Sequence, residues 1–266
     1  MISAPDLRIV DATWFAPFNN PEQTGEEAYQ AGHIPGAVFF DIDKVADPDS
    51  PYSHTLPGTV EFSSRVRKLG IGDGNRLIIY DQNGFFASAR VWWMLRVMGH
   101  KDVRVLDGGF AAWQRDGGML EDLPPVAVER HFTPRVRADI IAKTVRVQTA
   151  STEGTFTIID ARSEGRFTGQ DPEPREGLSS GHIPGSVNLP GSQLTNEDGT
   201  MKSIDDLRAL FEDPSAPTIT SCGSGVTAAI TALALARLGN WDVAVYDGSW
   251  SEWADGNTRP IATGSA

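Results

Sequence analysis

Gly32-His33-Ile34-Pro35-Gly36-Ala37 recurs 149 residues further on as Gly181-His182-Ile183-Pro184-Gly185-Ser186. At the same offset, Ile9-Val10-Asp11-Ala12 matches Ile158-Ile159-Asp160-Ala161. Further along, Leu106-Asp107-Gly108-Gly109 with Trp113 matches Tyr246-Asp247-Gly248-Ser249 with Trp253, now at an offset of 140. The matches keep the same order in both halves. Such self-similarity marks a duplicated domain of roughly 120 residues, a common domain size. The expected division is a first domain over 1–120, a linker over 121–142 and a second domain over 143–266.

Each half alternates strand-like and helix-like stretches. In the first, Arg8–Asp11, Val38–Phe40, Leu77–Tyr80 and Val103–Leu106 read as short apolar strands. Residues 87–98 read as a helix, with Val91, Leu95 and Met98 spaced four and three apart. Asp107-Gly108-Gly109 is a turn, and a second helix begins at Phe110. The second half repeats this with Phe156–Asp160, Val187–Leu189, Pro217–Ser221, a helix over 227–238 and Val243–Tyr246. Alternating β and α predicts an α/β fold: two tandem domains, each a mainly parallel sheet with helices on both faces. The stretch Leu120 to Ala142, with Leu123-Pro124-Pro125 and Phe132-Thr133-Pro134, has no counterpart between the matched blocks and reads as an extended linker. The tail after Asn257 is expected to be mobile.

Bulk composition narrows the function classes. The 266 residues are 40% hydrophobic and 22% charged, as in a globular protein that builds its core without staples. With 23 basic and 35 acidic residues the formal charge is −12, which disfavours nucleic acid and anionic membranes as partners. No apolar run approaches the roughly 20 residues that span a bilayer. The start, Met1 to Asp6, lacks a basic region followed by an apolar stretch, so no signal peptide is expected. A cytoplasmic location is the expectation, and one cysteine makes no internal disulfide.

That cysteine lies in Ser221-Cys222-Gly223-Ser224-Gly225-Val226-Thr227, between a strand-like run and a helix-like run. A thiol at a helix N-terminus, among free backbone N–H groups, favours its thiolate form. The competing reading is a small buried core residue. The two halves help to weigh these. Aligning Gly84 with Gly225 sets Asp81 opposite Cys222, so only the second copy carries a thiol. An aspartate there argues for a loop-surface position and for one active site in a duplicated fold. The phosphatase pattern Cys-x5-Arg is absent, because Ala228 stands six positions after Cys222. Most of the tryptophans read as packing residues, while Trp250 and Trp253, after the Asp247-Gly248 turn, are candidates to line the site mouth.

These motifs resemble the rhodanese family over nearly the whole chain: an N-terminal copy without the catalytic cysteine and a C-terminal copy with it. Within the family, Cys222-Gly223-Ser224-Gly225-Val226-Thr227 is similar to the loop of 3-mercaptopyruvate sulfurtransferases. Thiosulfate sulfurtransferases usually carry bulkier, basic residues where this chain has Gly223 and Ser224. A dianionic donor wants cations beside the thiol, whereas a carboxylate donor can be held by arginine forks farther off.

The resemblance implies a sulfurtransferase that moves sulfur from 3-mercaptopyruvate through a Cys222 persulfide to an acceptor and releases pyruvate. It further implies that Arg166 and Arg175 hold the donor carboxylate and carbonyl. Gly223, Gly225, Val226 and Thr227 would cradle the transferred sulfur with backbone N–H groups. Ser224 is a candidate catalytic hydroxyl, and His33 the candidate histidine to work with it. His182 reads as structural, since the same motif occurs in the copy without a thiol. Acceptors would be cyanide, a small thiol or reduced thioredoxin. No metal or organic cofactor is implied, because the lone cysteine and scattered histidines show no ligand spacing. Two other readings stand beside this one: a thiosulfate sulfurtransferase, and a non-catalytic persulfide carrier or interaction module.

Overall fold

The computed structural model describes residues 4–19 and 21–265, which form two compact units. Met1 to Ser3, part of the stretch on which the leader expectation rests, Asn20, and Ala266 at the end of the tail lie outside the described residues. The first unit takes in Met1–Asp49, Leu56–Arg137 and Glu197–Thr200; the second takes in Ser50–Thr55, Ala138–Asn196 and Met201–Ala266.

Unit 1 is built on strands β1 (Leu7–Asp11), β2 (Ala37–Phe39), β3 (Arg76–Tyr80) and β4 (Val103–Val105). They form one parallel sheet in the order β2-β1-β3-β4. Between them run helices α1 (Gly25–Ala31), α2 (Ile42–Val45), α3 (Thr59–Lys68) and α4 (Ser88–Val97), with α5 (Gly109–Arg115) after β4. Helix α1 starts at a capping box, in which Thr24 and Glu27 satisfy each other's backbone N–H groups.

Unit 2 repeats the plan with β5 (Ile141–Ala142), β6 (Thr157–Asp160), β7 (Ser186–Asn188), β8 (Thr218–Ser221) and β9 (Ala244–Tyr246). The parallel order is β5-β9-β8-β6-β7. Its helices are α6 (Thr144–Glu153), α7 (Glu164–Thr168), α8 (Ile204–Ala209), α9 (Ala228–Arg237) and α10 (Ser249–Trp253). All four residues of β8 are buried, although successive side chains point to opposite faces, so this central strand is covered on both sides. Register sets Asp160 at the end of β6 opposite Ser221 at the end of β8. Cys222 therefore leaves the sheet beside the loop that carries the arginines. No helix of the described residues is long and apolar enough to cross a membrane.

Two expectations are corrected. Residues 121–137 are no free linker: they belong to unit 1 and are tied to it. Glu121 exchanges backbone hydrogen bonds with His33, Asp73 N–H donates to His131 O, Thr133 Oγ1 donates to Asp73, and Arg135 N–H donates to Met98 O. The prolines keep this strap extended while its flanks find backbone partners in unit 1. The tail after Asn257 is anchored within unit 2, where Ala262 and His182 form a two-way backbone pair and Gly264 N–H donates to Thr168 O. Trp253 Nε1 adds a bond to Pro260 O.

Candidate active site

The loop after β8 is held from below. The Cys222 N–H donates to Ser249 Oγ at 3.2 Å, and that hydroxyl donates onward to Tyr246 O at 2.7 Å. The Cys222 and Gly223 carbonyls accept the Trp250 and Ser251 N–H groups of α10. Gly225 turns the loop with φ of 76°, matching 71° at Gly84 in the first copy. A side chain in this left-handed region costs free energy, which explains glycine at both places. Helix α9 then starts at Ala228 and points its N-terminus back at the loop.

The loop of unit 1 shows what this turn is shaped to hold. Asp81 accepts the N–H of Phe85 at 3.0 Å through Oδ1, and those of Ala87 at 3.0 Å and Ser88 at 2.8 Å through Oδ2. A carboxylate thus fills a backbone nest for anions. In unit 2 the aligned residue is Cys222. Among the described residues, the Val226, Thr227 and Ala228 N–H groups make no backbone hydrogen bond. The expectation that an aspartate here implies a loop-surface position is corrected, because both Asp81 and Cys222 are buried. The acid is tolerated inside because three N–H donors meet it, while burial still raises its pKa against their effect.

Arg166 and Arg175 meet at Gly223. A Cβ built on Gly223 would stand 3.1 Å from Arg166 Nη2 and 3.2 Å from Arg175 Nη1, tighter than most real contacts. The missing side chain is therefore what lets two guanidiniums gather beside the thiol. Arg175 Nη2 donates to Ser224 Oγ at 3.1 Å. Burial lowers the Arg175 pKa from its ordinary value; the negative charge of a Cys222 thiolate opposes this, and Arg166 adds to it. Arg166, in contrast, is clamped by Glu173, through Nε to Oε1 at 3.0 Å and Nη2 to Oε2 at 2.6 Å.

Behind that pair stands Arg162, which pairs with Asp160 at 2.6 Å and with Glu173 at 2.8 Å, over the face of Trp250. Burial works against its charge, yet Asp160 and Glu173 outweigh this and raise its pKa. Trp250 and Trp253 are both buried core residues of unit 2, which corrects the expectation that they line a site mouth.

The expectation that His33 works with Ser224 is corrected, while His182 is structural as expected. His33 is fully buried in unit 1, stacked on Tyr29 at 3.9 Å with Nδ1 on the Tyr29 carbonyl at 2.8 Å. His182 does the same in unit 2, on Phe167 at 3.8 Å with Nδ1 on the Phe167 carbonyl. Both tie the shared turn together. The histidine at Ser224 is His54, whose Nδ1 lies 2.9 Å from Ser224 Oγ. His54 has φ of 65°, a left-handed angle that is uncommon outside glycine and often marks a functional position. Tyr52, two residues earlier, bonds Asp255 and helps to fix this segment in unit 2. Sequence reading misses His54, because nothing in Pro51-Tyr52-Ser53-His54-Thr55 forms a pattern; the positive φ is its only local mark.

A family model described as the rhodanese-like domain matches residues 1–116 and 145–255. The chain belongs to the rhodanese-like family. Among curated relatives, this rhodanese-like chain is 42% identical over 264 residues to the 3-mercaptopyruvate sulfurtransferase of Escherichia coli, covering 98% of this chain and 93% of that one. It is also 42% identical over 256 residues to the thiosulfate sulfurtransferase of Rattus norvegicus, covering 94% and 85%. Among solved structures it resembles the Escherichia coli 3-mercaptopyruvate sulfotransferase SseA, with a TM-score of 0.84, 41% identity and coverage of 92% and 93%. The rhodanese-like pair of domains accounts for the duplication, for the two parallel sheets and for the single thiol loop.

Proposed function

We propose that this rhodanese-like chain is a sulfurtransferase that takes sulfur from 3-mercaptopyruvate onto Cys222 and passes it to a thiol or cyanide. The observation that carries the reading is the Arg166–Arg175 pair closing on Gly223, beside the thiol. Planar guanidiniums suit a donor with adjacent carboxylate and carbonyl oxygens. Relatives named for either donor are equally identical, so the choice rests on this local chemistry. Gly223 and Ser224 bring no cation of their own to the loop, which favours a singly charged donor over dianionic thiosulfate.

Cys222, as its thiolate, attacks the donor sulfur; the S–S bond forms and the donor C–S bond breaks. That electron pair leaves as pyruvate enolate, stabilised by the arginines as its oxygen gains charge. The enolate carbon takes one proton and becomes the pyruvate methyl. Ser224 is the proposed donor of that proton, replenished through His54, with the thiol hydrogen of the substrate as the ultimate source. Cys222 is left as a persulfide anion in the nest of Val226, Thr227 and Ala228 N–H groups. A nucleophilic acceptor, such as a small thiol, reduced thioredoxin or cyanide, then attacks the outer sulfur and returns Cys222 to the thiolate.

Intact-mass measurement after incubation with 3-mercaptopyruvate tests this. The wild type should gain one sulfur atom and release pyruvate, and Cys222→Ser should do neither. Pyruvate formation by Cys222→Ser at the wild-type rate would remove the covalent step.

A further inference from the structure

Helix α10 takes two carbonyls of the thiol loop. The Trp250 N–H, in its first turn, donates to Cys222 O at 2.9 Å. Gly223 O accepts twice from Ser251, from the N–H at 3.0 Å and from the hydroxyl at 2.7 Å. First-turn N–H groups have no partner inside their own helix, and here the loop carbonyls satisfy them. No peptide bond among the described residues is cis. In a trans peptide the N–H points opposite to the C=O. With the Cys222 and Gly223 carbonyls turned onto α10, the Gly223 and Ser224 N–H groups are turned away from it.

Gly223 and Ser224 are both buried, and neither N–H meets an acceptor among the described residues. Buried N–H groups without an acceptor are rare and costly, so two in succession need an explanation. The first copy lacks this arrangement. There the Phe110 N–H donates to Asp81 O at 2.9 Å, as the Trp250 N–H does to Cys222 O. Ala111 stands where Ser251 does, and no hydrogen bond reaches the Gln82 carbonyl among the described residues. The Asp81 carboxylate takes its bonds from Phe85, Ala87 and Ser88, and none from the Gln82 or Asn83 N–H. The clamp on the second loop carbonyl thus belongs to the copy with the thiol.

We propose that Ser251 is a positioning residue for sulfur transfer: by holding Gly223 O with both its N–H and its hydroxyl, it aims the Ser224 N–H at the charge on the sulfur that Cys222 acquires. The proposal rests on the persulfide chemistry above and adds a residue that shapes the cradle. The outer sulfur of a persulfide stands about 2 Å beyond Cys222 Sγ, so its charge calls for donors that the single sulfur does not engage.

The test compares 15N-labelled wild type and Ser251→Ala before and after loading with 3-mercaptopyruvate or thiosulfate, with intact mass reporting the added sulfur. The wild-type Ser224 amide proton should move downfield on loading, and by less in Ser251→Ala. With the donor that loads the enzyme, kcat should fall at least about tenfold in Ser251→Ala while KM stays within about twofold, because the loosened donor acts on the charged state. A Ser224 amide that stays put in loaded wild type would overturn the proposal and leave sulfur transfer standing. So would equal movement in both proteins, a smaller kcat loss, or a loss carried by KM. A wild type that takes sulfur from neither donor would overturn the sulfurtransferase reading, and this proposal with it. Ala111 shows that the same helix position accepts alanine in the first copy. Should Ser251→Ala nonetheless fail to fold, the wild-type Ser224 amide still decides: movement on loading supports the proposal and its absence overturns it.

Discussion

Gly223 and Arg166 approach so closely that a methyl group on the glycine would stand 3.1 Å from Arg166 Nη2. Gly223→Ala therefore forces the two guanidiniums to shift by a few tenths of an ångström. Misplacement of about 1 Å can cost about 100-fold in rate. We expect about a tenfold loss in kcat/KM for 3-mercaptopyruvate, with thermal stability little changed. Full activity in Gly223→Ala would show that the glycine does not make room for the arginines.

Ser224 shares its hydroxyl between Arg175 and His54. Removing a general acid typically costs about 100- to 10,000-fold. Ser224→Ala and His54→Asn should each lower kcat for pyruvate release by at least about 100-fold, and more than they raise KM. Single-turnover kinetics will read this directly. A pure KM effect in both variants would make the pair a binding device and leave the proton to another group.

Ser249 occupies, with φ of 50°, the backbone position that Gly109 fills with φ of 55° in the first copy. Its hydroxyl accepts the buried Cys222 N–H. Ser249→Ala keeps the unfavourable angle and orphans that N–H, at a cost of about 1–3 kcal/mol. Ser249→Gly loses the same bonds but relieves the angle, so it should be less destabilised, by about 1 kcal/mol. Chemical denaturation of the three proteins measures the order. An alanine variant as stable as the wild type would contradict it.

Asp81 gives a pH signature. Burial raises its pKa in the folded protein, in opposition to the three N–H donors. A carboxyl whose folded pKa lies above its unfolded value binds its proton more tightly when folded. Its contribution is fully present below the unfolded value, about 3.9, and is lost as pH rises through the folded value. Asp81→Asn cannot ionise. From pH 4 to 7 the wild type should therefore lose stability relative to Asp81→Asn, whatever their offset at pH 4. A difference that stays constant with pH would show that the carboxyl titrates alike in both states.

The central strand β3 is legible in the sequence as the apolar run Leu77–Tyr80 ahead of Asp81, and β8 as the β-prone run Thr218-Ile219-Thr220 ahead of Ser221-Cys222. The duplicated Gly-His-Ile-Pro-Gly turn is legible as a repeat, and its presence in both copies points to a histidine that ties the turn. Helices α1, α3, α6 and α8 do not stand out, since their exposed faces are polar and their buried residues few. Strand β5 is two residues long and carries no periodicity. The strap over 121–137 looks like a linker because its anchors are largely backbone bonds, which no side-chain pattern records. Cys222, Arg166 and Arg175 follow from their motifs. His54 and Glu173 do not, because contacts to Ser224 and Arg166 are made by folding, not by spacing: His54 is 170 residues away from Ser224.

The central claim is the donor, and it is tested most directly by measuring kcat/KM for 3-mercaptopyruvate and thiosulfate side by side in the wild-type protein, with cyanide as acceptor. A strong preference for 3-mercaptopyruvate is expected from the Arg166–Arg175 pair gathered where Gly223 has no Cβ. A preference for thiosulfate would contradict the donor reading of the site and leave the rhodanese-like fold standing.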